Sequence, residues 1–90
     1  MNTKQKIKKI LQRKISASRV EITDQSHLHA GHSEAKASGG GHYSILVVAE
    51  LFKGKTTLER HRMIYQALSE ELKTSIHALA IKAYSPKEYA

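Results

Sequence analysis

The sequence predicts a single α+β domain, residues 1–90, in which a three-stranded mixed sheet carries helices on one face. Three observations support this fold class. Ninety residues leave room for only one hydrophobic core. Apolar residues switch between helical and strand spacing along the chain. Cysteine is absent, which excludes disulfide staples, thiolate zinc fingers and a cysteine nucleophile.

The first part of the chain predicts a helix, a strand and a long loop. Apolar residues recur at helical spacing within residues 3–15, at Ile7, Ile10, Leu11 and Ile15. Thr3 can serve as the N-cap of this helix. Residues 19–24 alternate apolar and polar side chains, as a half-buried strand does. Residues 25–42 contain four histidines and three consecutive glycines, which is typical of a loop.

The second part predicts a central strand, a crossover helix, a third strand and a short last helix. Residues 43–52 form a continuous apolar run, so we expect both faces of this strand to be covered. Thr56 or Thr57 caps the next helix, which Thr74 and Ser75 end. Its stripe consists of Leu58, His61, Ile64, Tyr65, Leu68 and Leu72. Residues 76–84 alternate, and one face carries His77, Leu79, Ile81 and Ala83. A capping box over residues 85–88 starts the last helix.

The positive charge is concentrated at the start of the chain. The formal net charge is +7, and the first twenty residues carry no acid but seven bases: Lys4, Lys6, Lys8, Lys9, Arg13, Lys14 and Arg19. Such a segment can attract phosphate backbones or anionic proteins, or it can be a solvated helix face that keeps a small protein soluble. An acid-poor amphipathic helix also suits a mitochondrial presequence.

No membrane partner is expected, because no apolar run approaches the ~20 residues that span a bilayer. A secretory signal would need an apolar core after the first bases, and none follows them. We therefore expect a cytoplasmic protein, or a mitochondrial-matrix protein if the source is a eukaryote. Gly54-Lys55-Thr56 resembles the tail of a P-loop, but Ala49 stands where that loop needs a glycine.

Histidine is the unusual residue type, with six among ninety residues. His27, His29 and His32 lie within six positions, and His77 begins a strand far downstream. Ligands from such separate elements can converge on one zinc, copper, nickel or iron ion. A polar loop also accumulates histidines without binding metal, and this spacing is not a standard zinc pattern.

The segment Arg60-His61-Arg62 lies on the predicted crossover helix. His61 falls on the apolar side, which indicates a packed histidine. We expect Arg60 and Arg62 to point into solvent, where they can hold a phosphate or an acidic partner.

Motifs spread over nearly the whole chain from about Ile7 onward resemble those of the BolA family. They are Asp24-Gln25-Ser26-His27-Leu28-His29, His42-Tyr43-Ser44-Ile45-Leu46-Val47-Val48, Phe52-Lys53-Gly54-Lys55, Leu58-Glu59-Arg60-His61-Arg62, Glu70-Glu71-Leu72, Ile76-His77-Ala78-Leu79 and Ser85-Pro86-Lys87-Glu88-Tyr89. The resemblance implies a fold like that of class II KH domains, without the G-x-x-G loop with which KH domains clamp RNA.

The resemblance also implies a protein that is not an enzyme but a partner of monothiol glutaredoxins in iron–sulfur assembly, delivery or iron sensing. It would be a monomer alone and a heterodimer with its partner. In that complex a [2Fe–2S] cluster bridges both proteins, with the glutaredoxin cysteine and glutathione as ligands on one side. The BolA-like chain supplies His77 and a loop histidine, which is His29 or else His32. A chain without cysteine cannot hold such a cluster alone, but two imidazole nitrogens can complete one.

Family members described as transcriptional regulators suggest DNA as an alternative partner. The second helix and the following strand are the suspected DNA-contacting region. Here Lys53, Lys55, Arg60 and Arg62 would contribute, helped by the basic first helix. Positive charge alone gives binding that is salt-dependent and blind to sequence.

Overall fold

The computed structural model describes residues 2–25 and 41–90, which contain three strands and four α-helices. In chain order they are α1 (Thr3–Lys14), β1 (Arg19–Asp24), β2 (Gly41–Val48), α2 (Thr57–Ala67), α3 (Ser69–Thr74), β3 (Ile76–Tyr84) and α4 (Pro86–Tyr89), with a 3-10 turn at Glu50–Phe52. β1 pairs antiparallel with β2, and β2 pairs parallel with β3. The predicted α+β class and mixed sheet are therefore confirmed.

The core lies between one face of the sheet and the helices. The cross-strand register aligns inward side chains in rows, of which Ile22, Ile45 and Ile81 form one. Fully buried residues from the helices and from the junction of α2 and α3 pack against these rows: Ile7, Leu11, Ile64 and Leu68. Burying each such side chain contributes roughly 1.5–3 kcal/mol. Helices thus cover one face, as predicted, and the opposite face carries exposed or half-buried side chains such as Thr23, Ser44 and Ala80.

Three helices start with a capping box, in which two backbone N–H groups at the helix start find side-chain acceptors. In α2 and α4 the N-cap residues are Thr56 and Ser85, which confirms the predicted starts. In α1 the N-cap is Asn2, whose side chain accepts from the N–H of Gln5. The prediction of Thr3 as N-cap is wrong, because asparagine one position earlier supplies the acceptor.

Two elements end earlier than their apolar patterns predict. β2 stops at Val48, the last residue that pairs with both neighbouring strands. The chain then turns so that the 3-10 turn buries Phe52. The predicted continuous helix is divided at the buried Leu68, whose backbone (φ −99°, ψ 18°) departs from helical values and separates α2 from α3. The predicted helix end at Thr74 is confirmed.

Candidate functional site

His77 is the extra residue in a β-bulge at the start of β3. Gly41 lies opposite Ile76 and His42 lies opposite Ala78, so His77 has no opposite residue in β2. The prediction that His77 lies on the same face of β3 as Leu79 is wrong, because the bulge changes the alternation of side chains: Leu79 packs against the core and His77 is exposed. Ile76 takes the buried position, with 3% of its surface exposed, and His77 faces solvent.

A second imidazole lies beside His77. The ring of His42, the second residue of β2, has its centroid 5.1 Å from that of His77, and the two planes are inclined by 41°. His42 is half-buried and His77 is exposed. Sequence reasoning missed His42. The sequence could have indicated His42, because the first residues of two neighbouring parallel strands lie at the same edge of the sheet.

The ends of the predicted histidine loop meet at this edge. The N–H of Gln25 donates to the carbonyl of His42 at 2.7 Å, and the N–H of Gly41 donates to the carbonyl of Ser75 at 3.0 Å. The chain therefore leaves the sheet and returns to it next to the two rings. His27, His29 and His32 themselves lie outside the described residues.

Gly41 and Tyr43 fix the start of β2. A Cβ at Gly41 would lie 2.7 Å from Cε2 of the Tyr43 ring, which is closer than carbon atoms approach one another. Tyr43 is itself buried, with 8% of its surface exposed. Glycine at position 41 therefore lets the tyrosine ring pack over the strand beside the bulge.

The two arginines of Arg60-His61-Arg62 differ in their surroundings. Arg62 is exposed, whereas Arg60 is only 8% exposed. Its Nη1 and Nη2 donate to the Glu88 carboxylate at 2.6 and 3.2 Å, and Nη1 also donates to the carbonyl of Ala83 at 3.0 Å. The guanidinium also donates from Nε to the carbonyl of Lys55 at 3.0 Å. The expectation that Arg60 points into solvent is wrong, because the Glu88 carboxylate and these two backbone carbonyls hold its guanidinium. His61 is half-buried.

The ion pair has electrostatic consequences for both partners. Hydrogen bonds from Arg60 and then from the N–H of Ser85 lower the pKa of Glu88 to about 2. The hydrogen bond to Glu88 raises the pKa of Arg60. Both groups are ionised at neutral pH, and Arg60 joins α2 to β3 and α4. Lys53 and Lys55 remain exposed on the loop before α2.

The histidine pair can supply two nitrogen ligands. Within residues 2–25 and 41–90, no group of three or more His, Cys, Asp or Glu side chains could hold a metal ion. Imidazole is a ligand for iron, zinc, copper and nickel, so each of the two rings can serve as a nitrogen ligand. No helix of the described part is long and apolar enough to cross a membrane.

The fold is similar to that of solved BolA-type structures. The BolA domain of SufE1 from Arabidopsis thaliana matches with a TM-score of 0.81 and 34% sequence identity, and the match covers 98% of both chains. SufE-like protein 1, chloroplastic/mitochondrial, from the same plant is 37% identical over 87 residues, which cover 92% of this chain and 24% of that protein.

A bacterial relative is also similar. The DNA-binding transcriptional regulator BolA of Escherichia coli (strain K12) is 40% identical over 70 residues, which cover 78% of this chain and 63% of the regulator. This chain thus spans less than two thirds of the length of both curated relatives. Residues 11–88 match the family described as BolA-like protein. Because this match includes most of the chain and every strand of the sheet, the chain belongs to the BolA-like protein family.

Proposed function

We propose that this chain is an adaptor that binds a monothiol glutaredoxin and helps to ligate a bridging [2Fe–2S] cluster. The observation that carries the proposal is the exposed ring of His77 beside a second imidazole at the edge where the histidine loop begins and ends. A shared centre requires an exposed ligand that other ligands can join, and His77 is exposed next to the ends of the histidine-rich segment. The chain acts in this proposal by binding rather than by catalysis.

The chemistry of imidazole explains what such a partner contributes. Clusters of this type are normally held by four cysteine thiolates, and this chain has no cysteine. Histidine in place of thiolate removes negative charge from the iron and raises the cluster potential, as in Rieske centres. A heterodimer would thus hold a cluster with properties that the glutaredoxin alone does not provide.

The second nitrogen in the proposal comes from the loop. We propose His29, with His32 as the alternative, since the loop joins the sheet at Gln25 and Gly41, beside His77. Comparing His29→Ala with His32→Ala in the cluster experiment below separates the two. Our expectation of a cytoplasmic location stays a prediction, which fractionation of the source cell would check.

Reconstitution with a partner tests the proposal. Mixing the chain with a monothiol glutaredoxin, iron, sulfide and glutathione should give a heterodimer with an altered visible spectrum. His77→Ala should abolish this new spectrum, because it removes a ligand. His61→Ala is the matched control: it changes a half-buried histidine on α2 and should keep the spectrum. An unaltered spectrum for His77→Ala would remove the ligand assignment, and failure of the wild-type chain to form the heterodimer would remove the adaptor function.

DNA binding is a second candidate function, and unpaired positive charge favours it. The exposed cations of α1 make no ion pair among the described residues: Lys4, Lys6, Lys8, Lys9, Arg13 and Lys14. The Escherichia coli relative is named a DNA-binding regulator. Of the predicted DNA-contacting residues near α2, Lys53, Lys55 and Arg62 are exposed and could contact phosphate, whereas Arg60 is held by Glu88. Specific regulation requires binding to a defined duplex that persists near physiological salt.

A further inference from the structure

We propose that His42 and His77 form a binding site for one mononuclear transition-metal ion, such as Zn²⁺, in the chain without a partner. The site would need neither glutaredoxin nor sulfide, so it goes beyond the adaptor function. It uses a residue, His42, that the proposed cluster ligands do not include. Its two nitrogens come from neighbouring parallel strands that meet only in the folded protein.

The separation of the rings suits a shared ion. In tetrahedral zinc sites each Zn–N bond is about 2.0–2.1 Å, which places two imidazole centroids on one ion roughly 5 Å apart. The centroids of His42 and His77 are 5.1 Å apart. The exposed ring of His77 can rotate to meet an ion without disturbing the core, because its neighbour Ile76 occupies the buried position.

The backbone around the pair is held in place by the fold. The β-bulge turns His77 outward, and the packing of Tyr43 over Gly41 fixes the first residues of β2. A hydrogen bond of 2.7 Å from Gln25 to the carbonyl of His42 joins β1 to the same edge. The site therefore lies on paired strands, which position ligands more rigidly than a loop does.

Two imidazoles select a class of ion. Neutral nitrogen ligands favour Zn²⁺, Cu²⁺, Ni²⁺ and Co²⁺ over Mg²⁺ and Ca²⁺, which prefer oxygen. The pair fills two of four tetrahedral positions, so water or other exchangeable groups occupy the rest. The ion would compete for His77 with any cluster that uses this residue.

Titration of the untagged chain alone with Co²⁺, followed by displacement with Zn²⁺, tests the site. Visible absorption reports tetrahedral Co²⁺, and we expect one ion per chain. His42→Ala and His77→Ala should each weaken binding by about tenfold or more, because each removes one of two protein ligands. The double variant should lose little beyond either single variant, because both residues serve one ion. His61→Ala should bind like the wild type, and circular dichroism checks that each variant folds.

Several results would overturn this site. Wild-type affinity in His42→Ala would exclude His42 as a ligand. Two ions per chain in the wild type, with one kept by each single variant, would mean two separate sites. Loss of binding in His29→Ala or His32→Ala, with both single strand variants unaffected, would place the ion in the loop. None of these measurements involves glutaredoxin, so the site can fail while the adaptor function stands, and the reverse.

Discussion

The guanidinium of Arg60 connects distant parts of the chain through named acceptors. It donates to backbone carbonyls at Lys55 and Ala83 and to both carboxylate oxygens of Glu88. Bidentate, charge-assisted ion pairs of this kind fix the geometry of both partners as well as stabilising the fold. In this chain the arginine that the sequence suggested for anion binding serves to hold α4 against α2 and β3.

This ion pair predicts a specific dependence of stability on pH. The pKa of Glu88 falls from an ordinary 4.5 to about 2 on folding. As the pH falls through this window the unfolded chain takes up the proton first, so the contribution of Glu88 is complete above 4.5 and is lost towards 2. Thermal unfolding of wild type and Glu88→Gln at a series of pH values should give melting temperatures that differ at neutral pH and converge near pH 2.

Glu70→Gln is the matched control for this measurement. Glu70 is exposed and its Oε1 lies 3.9 Å from the Nζ of Lys73, so its removal should leave the wild-type pH profile nearly unchanged. A constant difference between wild type and Glu88→Gln from neutral pH down to pH 2 would contradict the assignment.

At the scale of elements, the sequence predicts best where the local signal and the tertiary pairing agree. β1, β3 and α4 have the predicted bounds, since alternation or a capping box marks each of them. The ends of β2 and α2 differ from their predictions because they depend on other elements. β2 ends where its neighbours end, although the apolar run continues in sequence to Phe52.

At the candidate site, too, the sequence predicts what has a local signal and misses what depends on the pairing of strands. The motif that contains His77 identified a candidate ligand, but alternation alone grouped it with Leu79 and could not decide between a buried and an exposed ring. A bulge depends on how two strands pair, and the spacing of His77 and Leu79 gives no sign of it. His42 was missed for a related reason, because its neighbour is 35 positions away in the chain.

The glycine beside the bulge can be tested by adding one methyl group. Gly41→Ala should lower the free energy of unfolding by about 1–3 kcal/mol, because the new Cβ would meet the buried Tyr43 ring at 2.7 Å. Urea denaturation measures this decrease. Adding Tyr43→Leu should make Gly41→Ala less costly by removing the ring that clashes, whereas it should not rescue Gly54→Ala. Gly54 has φ +75°, and an added Cβ would have no atom of residues 2–25 or 41–90 outside its chain neighbours within 4 Å, so its cost would come from backbone strain. Equal rescue of both would argue against the clash.

At the scale of the whole molecule, charge is unevenly distributed. The first twenty residues account for a charge equal to the entire net charge of +7. The apolar stripe of α1 is used inside the protein, since Ile7 and Leu11 are fully buried. The exposed face of this helix is therefore its charged face, which can attract anions through its field.

Salt dependence measures how many of these cations bind phosphate. Binding to a random-sequence DNA duplex should weaken linearly in a plot of log affinity against log salt, with a slope near −0.9 for each phosphate neutralised. Changing Lys6, Lys9 and Arg13 together to glutamine should flatten this slope by about 0.9 for each phosphate that is no longer neutralised. Changing Lys53, Lys55 and Arg62 together to glutamine gives the comparison. Whichever triple variant flattens the slope more identifies the surface that binds DNA. An unchanged slope in the α1 variant would show that this helix neutralises no phosphate.

The parallel pairing of β2 with β3 has a kinetic consequence. Gly41 and Ile76 pair although they are far apart in sequence, and pairings so remote along the chain form slowly. The two imidazoles come together only when this pairing is complete. If Co²⁺ binds to these two rings as proposed, its visible absorption during refolding would report the docking of β3 on β2. We expect this absorption to rise after the helical ellipticity has recovered.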